Sequence, residues 1–268
     1  MKKNRLFVIT FMYLFLVCIG IEYEFSSYYN ADFSGIEYAY LFVGVICLCL
    51  YLIPLTIVLL WGQKRWNLSP YLFPLAFVSG YFIAGWAAAT SNNLLSLLFE
   101  QIFSPTFMKD WDAALTAPFT EEPLKLIAAL FPLYFLKKKD MQSVIMSGAG
   151  AGLGFQLSED IYYILTAVDD KPATGISESL VRISGALTSH WMMTAIVVLG
   201  FFLILHHQVR KGIIFIALVV FFHFVWNSPF SSLEIPFSLH LAFISALFIT
   251  LFISILYQVD QHKTLSSH

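Results

Sequence analysis

Apolar residues dominate the chain in stretches of about 20, the length a helix needs to cross the ~30 Å hydrocarbon core of a bilayer. Eight such stretches stand between polar clusters: Leu6–Ile21, Tyr38–Trp61, Pro70–Thr90, Ala117–Leu136, Met141–Val168, Ser179–Leu205, Gly212–Pro229 and Pro236–Tyr257. They predict an all-α, polytopic transmembrane helix bundle. With no internal repeat and no low-complexity linker, residues 1–268 read as a single integral-membrane domain. Between the third and fourth spans, Leu94–Phe107 has the pattern of an amphipathic segment lying on the outer surface.

The cationic residues orient the bundle. Lys2, Lys3, Arg5, Lys64, Arg65, Lys137, Lys138, Lys139, Arg210, Lys211 and Lys263 fall on one set of ends, whereas the opposite loops hold Lys109 and Lys171. The positive-inside rule then places both termini in the cytoplasm. The acidic loop residues Glu22, Glu24, Asp32, Glu37, Asp110, Asp112, Asp169 and Asp170 face outside. The basic start and apolar core of the N-terminal run have no small-x-small cleavage pattern, so an uncleaved first span is expected. Composition agrees: 59% of residues are hydrophobic and 12% charged, about half the charge of a soluble domain, and mean hydropathy is +0.76. A cell-membrane protein in contact with lipid is implied, with no nucleic-acid partner. Cys18, Cys47 and Cys49 lie inside apolar runs, without disulfide or metal spacing.

Against that background, ionisable groups inside spans stand out, because each costs about 2.5–3.5 kcal/mol even on lenient insertion scales. The fourth span begins Ala117-Pro118-Phe119-Thr120-Glu121-Glu122-Pro123-Leu124-Lys125. Glu121 and Lys125, four residues apart, share a helix face and can pair. Pro118 suits a first helical turn, which would place both glutamates beside the positive end of the helix dipole. In the fifth span, Gly148, Gly150, Gly152 and Gly154 give small-xxx-small spacings for close helix approach. Phe155 and Glu159 follow on one face. The sixth span carries Arg182, then His190 and Thr194, and the seventh His223-Phe224-Val225-Trp226-Asn227. Arg182 either pairs with an acid or snorkels outward.

Counted at ~1.5 Å per residue from the outer ends, Glu122 lies about 8 Å deep, Glu159 about 13 Å, His190 about 16 Å and His223 about 9 Å. Helices entering from opposite sides thus bring their polar residues to one band. Two kinds of hydrolysis suit such a set. A glutamate can act as general base on water while histidine and asparagine stabilise the oxyanion, or the same residues can hold a divalent metal that acidifies the water. There is no HExxH, no GxSxG and no intramembrane aspartate pair. A proton-coupled transporter or channel with a Glu/His relay is the alternative, although no inverted repeat supports it.

Taken in order, Glu121-Glu122-x-x-Lys125, Phe155-x-x-x-Glu159, Arg182…His190-x-x-x-Thr194 and His223-x-x-Trp226-Asn227 resemble the PrsW family of intramembrane proteases. The resemblance to the CAAX-prenyl endopeptidase (CPBP) superfamily is more distant. The matching stretch is about Pro118–Asn227, within a motif-bearing core of about 117–229. The resemblance implies an endopeptidase that cuts a membrane-anchored protein in or near its transmembrane segment, in some members an anti-sigma factor. It places Glu121, Glu122, Glu159 and His223 in the active site, with His190 and Asn227 beside them, and Lys125, Phe155, Arg182, Thr194 and Trp226 in support. The prenyl endopeptidases carry Glu-Glu-x-x-x-Arg and Phe-x-x-x-His; here lysine comes one position earlier and Glu159 replaces the histidine. Any histidine partner must therefore come from the sixth or seventh span. The expected chemistry is glutamic-type, with Glu122 or Glu121 activating water, His223 and Asn227 polarising the carbonyl, and no metal; Zn2+ is the alternative.

Overall fold

A computed structural model describes residues 2–232 and 239–266. The described residues form helices and no strands, as the apolar spacing predicts. In chain order they are α1 (Lys2–Asn30), α2 (Gly35–Cys47), α3 (Cys49–Arg65), α4 (Leu72–Ser79), α5 (Gly85–Phe99), α6 (Pro105–Phe135), α7 (Met141–Asp170), α8 (Thr174–Gly185), α9 (His190–Leu205), α10 (Val209–Asn227) and α11 (Leu239–Ser266). Two pairs of these run on as single rods, α2 into α3 and α4 into α5 through a π-helical turn at Gly80–Ala84, while a short break separates α8 from α9. Among the described residues, six helical stretches are long and apolar enough to cross a membrane. The helices α6 and α7, with 31 and 30 residues, match them in length but carry the charged residues. Pro236, Phe237 and Ser238, with which the eighth stretch begins, lie outside the described residues.

Helix α7 is the axis, packed between α9 on one side and α4 on the other, with α6 and α8 alongside. Its small residues make this possible. A Cβ added to Gly148 would lie 2.6 Å from Ala195 Cα, and one added to Gly152 would fall on the His190 carbonyl oxygen and 2.6 Å from Trp191 Cα. Gly150 and Gly154 face the other way, onto Phe73, Ala76 and Phe77 of α4. Two interleaved glycine rows therefore let two helix backbones touch one axis. Gly152→Ala should push α9 outward at the level of His190 and lower the melting temperature in detergent, since overpacking costs about 1–3 kcal/mol. Gly62→Ala, whose Cβ would meet only Met146 Cε at 3.7 Å, should leave it unchanged. Equal melting temperatures for the two variants would contradict the close approach.

The connection from α6 to α7 shows why the chain reverses at Lys137–Asp140. Lys137 takes a left-handed φ of 51°, and Lys138 N–H bonds back to Leu133 O at 2.9 Å, closing the helix end. Asp140 then caps α7 by accepting from Ser143 N–H at 2.8 Å. Helices α6 and α7 are consequently antiparallel neighbours.

Three local expectations need correction. Leu94–Phe107 is not one surface segment: residues 94–99 end α5, and α6 begins at Pro105. Pro118 is not in a first turn, because Ser104 caps the helix and Pro105 opens it. Glu121 and Glu122 thus lie in mid-helix between the interior prolines Pro118 and Pro123, far from any helix-dipole benefit, which fades within a turn. Finally, Ser179–Leu205 is interrupted. A 3-10 turn at Ala186–Thr188 and an extended Ser189 (φ −99°, ψ −160°) restart the helix with His190 as its first residue.

Candidate active site

Lys125 is the hub of a buried polar cluster. Its side chain is fully buried, and its ammonium lies 2.6 Å from Glu122 Oε1 and 3.5 Å from Glu121 Oε2. It also donates to His190 Nδ1 at 2.9 Å and sits 4.5 Å above the Phe155 ring. Pairing at i, i+3 and i, i+4 on α6 places both carboxylates on the lysine's side of the helix.

The histidines enter from α9 and α10. Glu122 Oε1 accepts from His223 Nδ1–H at 3.0 Å, which leaves His223 Nε2 as the acceptor of a neutral ring. That nitrogen is 3.7 Å from Glu121 Oε2. His190 is arranged in the opposite sense: Nδ1 accepts from Lys125, and Nε2–H donates to Glu159 Oε2 at 3.0 Å. The two rings lie 5.3 Å apart, and Phe155 packs edge-on against His190 at 4.9 Å. The interruption before α9 is what brings His190 to this level.

Beyond the histidines the network continues. Arg182 pairs with Glu159 and with Asp160, each at 2.5 Å, so it joins acids and does not snorkel away. Tyr51 of α3 donates to Asp160 at 2.8 Å. Asn92 of α5 donates to Glu121 Oε1 at 3.1 Å, and Thr120 bonds to Asn92. Asp160, Tyr51 and Asn92 escaped the sequence reading. Asn92 had a legible signal, the Ser91-Asn92-Asn93 triplet at the end of an apolar run, whereas nothing distinguished Tyr51 among the chain's 13 tyrosines.

Two cavities reach the cluster. One, of about 210 Å³, is bordered by Glu24, Asn92, Glu121, Glu159 and Asn227. The other, of about 470 Å³, is bordered by Glu159, Arg182, His190, His223 and Asn227. Glu121 borders the first, whereas Glu122 borders neither and lies behind His223. Asn227 faces both cavities and is otherwise held by a 3.5 Å bond to Ala113 O. Trp226 lines the second cavity and touches the space beside Gly185. Of the sequence-nominated residues, Thr194 is not brought in: it is fully buried on α9 where Gly148 packs.

This geometry agrees with an independent comparison. A family model described as PrsW family intramembrane metalloprotease matches residues 69–256, well over half of the chain. The chain belongs to the PrsW family. Searches of curated proteins and of solved structures return no match. As a PrsW-family member the chain is an intramembrane protease and a multi-pass integral membrane protein, which displaces the transporter alternative. The matched stretch contains Asn92, Glu121, Glu122, Lys125, Glu159, Asp160, Arg182, His190 and His223, and Tyr51 bonds into it through Asp160.

The description raises the question of a metal. Glu121, His190 and His223 each offer one donor atom, all within 4.8 Å of one another. Two histidines and a glutamate are a zinc donor set, and each histidine has a carboxylate on its other nitrogen, the outer partner that metal-bound imidazoles require. The donor chemistry fits; Lys125, bonded to His190 Nδ1, would have to give way.

Proposed function

We propose that this PrsW-family protease cuts a membrane-anchored protein with water activated between Glu121 and His223. The observation that carries this is the pair of acceptors, Glu121 Oε2 and His223 Nε2, 3.7 Å apart where the cluster meets the cavities. One water about 2.8 Å from each atom would donate one proton to each. Glu121 takes the proton as the water attacks the carbonyl carbon. Glu122 holds the His223 ring through Nδ1–H, and Asn227 Nδ2, bordering both cavities, donates to the developing oxyanion. Protonated Glu121 then returns the proton to the leaving amine. Glu159 orients His190, and Lys125 pairs directly with Glu122.

A specific observation favours a second chemistry. The cluster holds four carboxylates (Glu121, Glu122, Glu159, Asp160) against two fixed cations (Lys125, Arg182), so two neutral histidines leave an excess of two negative charges. A divalent ion held by Glu121, His190 and His223 would balance that excess and supply Lewis-acid polarisation of water. The glutamic reading instead keeps the bonds that the structure shows, Lys125 to His190 Nδ1 and His223 Nδ1–H to Glu122, the first of which a metal at His190 would break. We therefore expect purified active protein to contain no stoichiometric metal and to keep its activity after chelation. About one zinc per chain, lost together with activity, would instead move Glu121 from base to ligand.

The substrate is inferred to be a single-pass membrane protein, an anti-sigma factor being one candidate class. The smaller cavity lies near the ends of α1, α5 and α6 that the charge pattern assigns to the outside, so the cut should fall at the extracytoplasmic end of the substrate's membrane segment. Sequencing the new N-terminus of a product checks this; a cut at the cytoplasmic end would show the orientation to be inverted.

A further inference from the structure

We propose that the substrate's membrane segment enters sideways from the lipid, between α8 and the first turns of α11, through the larger of the two cavities. The inference rests on the protease reading and adds where the substrate docks. The smaller cavity has the character of a water vestibule: Glu24, Asn92, Asn93 and Asp112 border it. The larger one joins the same cluster at Glu159, His190 and His223 but has a different mouth. Its outer walls are Ser184, Gly185 and Thr188 on one side and Leu241, Ala242 and Ser245 on the other, and all but Leu241 are small side chains that leave room for a backbone to pass.

Both lips of this mouth present large apolar side chains outward. Leu180, Val181 and Leu187 on the α8 side are 55%, 60% and 68% exposed, and Leu239 and Phe243 on α11 are 57% and 65% exposed. Large apolar side chains exposed in a row at the rim of a polar cavity mark an interaction site, and inside a bilayer their natural partner is an apolar helix. A polar link closes the seam: the Thr188 and Ser245 hydroxyls are 3.0 Å apart. Further along, α11 is fastened to α10 by Phe222 against Phe248 at 4.9 Å, and to α9 by Trp191 against Phe252 at 5.2 Å. Its first turns can therefore swing about those aromatic contacts while the rest stays packed. The interruption at Ala186–Ser189 lies on the opposite lip, directly before His190, so a segment unwound there arrives beside the catalytic cluster. An extended strand is what a protease needs at the scissile bond, and the polar walls can bond its freed backbone groups.

The test is a reversible staple. In a background with Cys18, Cys47 and Cys49 replaced, Thr188→Cys and Ser245→Cys are joined by oxidation or by a short bifunctional thiol reagent. Cleavage of a membrane-anchored substrate is compared before joining, after joining and after release. A drop of at least about tenfold on joining, reversed on release, is expected. Undiminished cleavage by fully joined protein would overturn the proposal. A second variant, Ala242→Trp, fills the mouth without a cross-link and should raise KM for the membrane-anchored substrate at least about tenfold, more than it lowers kcat. Equal kinetics of Ala242→Trp and the parent on the anchored substrate would likewise overturn it. Absence of cleavage by the parent protein itself would count against the protease chemistry and not against the route.

Discussion

Lys125→Met should prevent the protein from accumulating as a folded, monodisperse species. The lysine is fully buried, and its ammonium is the shared cation of Glu121 and Glu122 and a donor to His190. Removing one partner of a buried charge pair costs about 3–5 kcal/mol, because the remaining charge is left uncompensated away from water. That is a large part of the 5–15 kcal/mol of a typical fold. Methionine keeps the length and the packing on Phe155, so the loss would be electrostatic. Adding Glu122→Gln to Lys125→Met should restore much of the folded yield, since it removes the charge that the lysine balanced. Size-exclusion profiles of the three proteins check this. A Lys125→Met protein as stable as its parent would show that the cluster does not depend on this cation.

The largest effect on activity is expected from Glu121. Glu121→Gln keeps the bond from Asn92 and the side-chain volume but removes the base, and a positioned base contributes about 10²–10⁴-fold. Glu122→Gln should cost a similar factor by a different route, since the amide no longer fixes the His223 ring, through Nδ1–H, in the orientation that aligns the water. Because the three groups act on one water, Glu121→Gln combined with Glu122→Gln should be no slower than Glu121→Gln alone. His223→Ala belongs to the same unit and should show the same saturation. Glu159→Gln should also abolish cleavage, by releasing His190 and unpairing Arg182, and here the combination with Glu121→Gln distinguishes the roles. Multiplying defects would place Glu159 outside the unit. Cleavage of an anchored substrate at equal protein amounts measures all of these variants.

Much of this was legible in the sequence because a membrane makes polar residues conspicuous. Glu121, Glu122, Lys125, Glu159, His190 and His223 stood out as costly groups at one depth, and the structure joins all six in one bonded network. The glycines of α7 were legible for the same kind of reason, since small residues at four-residue spacing have one main use between apolar helices. What could not be read was direction within a few ångströms. Glu121 and Glu122 are adjacent and chemically identical, and only the packing of α10 decides that His223 Nδ1 takes Glu122 while Glu121 borders the cavity. The start of α6 was misplaced because Leu94–Phe107 contains enough polar residues to look like a surface segment, although Ser104-Pro105 is a cap followed by a first-turn proline. Thr194 was nominated by its spacing from His190, but its backbone lies against Gly148 of α7 and its buried hydroxyl bonds to none of the cluster's residues.

The central claim is that Glu121 activates the water that cuts a membrane-anchored protein. Purified parent protein and Glu121→Gln, reconstituted side by side in vesicles with a tagged single-pass substrate, test it most directly. A truncated product from the parent, with its new terminus at the extracytoplasmic end of the membrane segment and none formed by the folded variant, is the predicted result. Product formed at the same rate by both proteins would contradict the account.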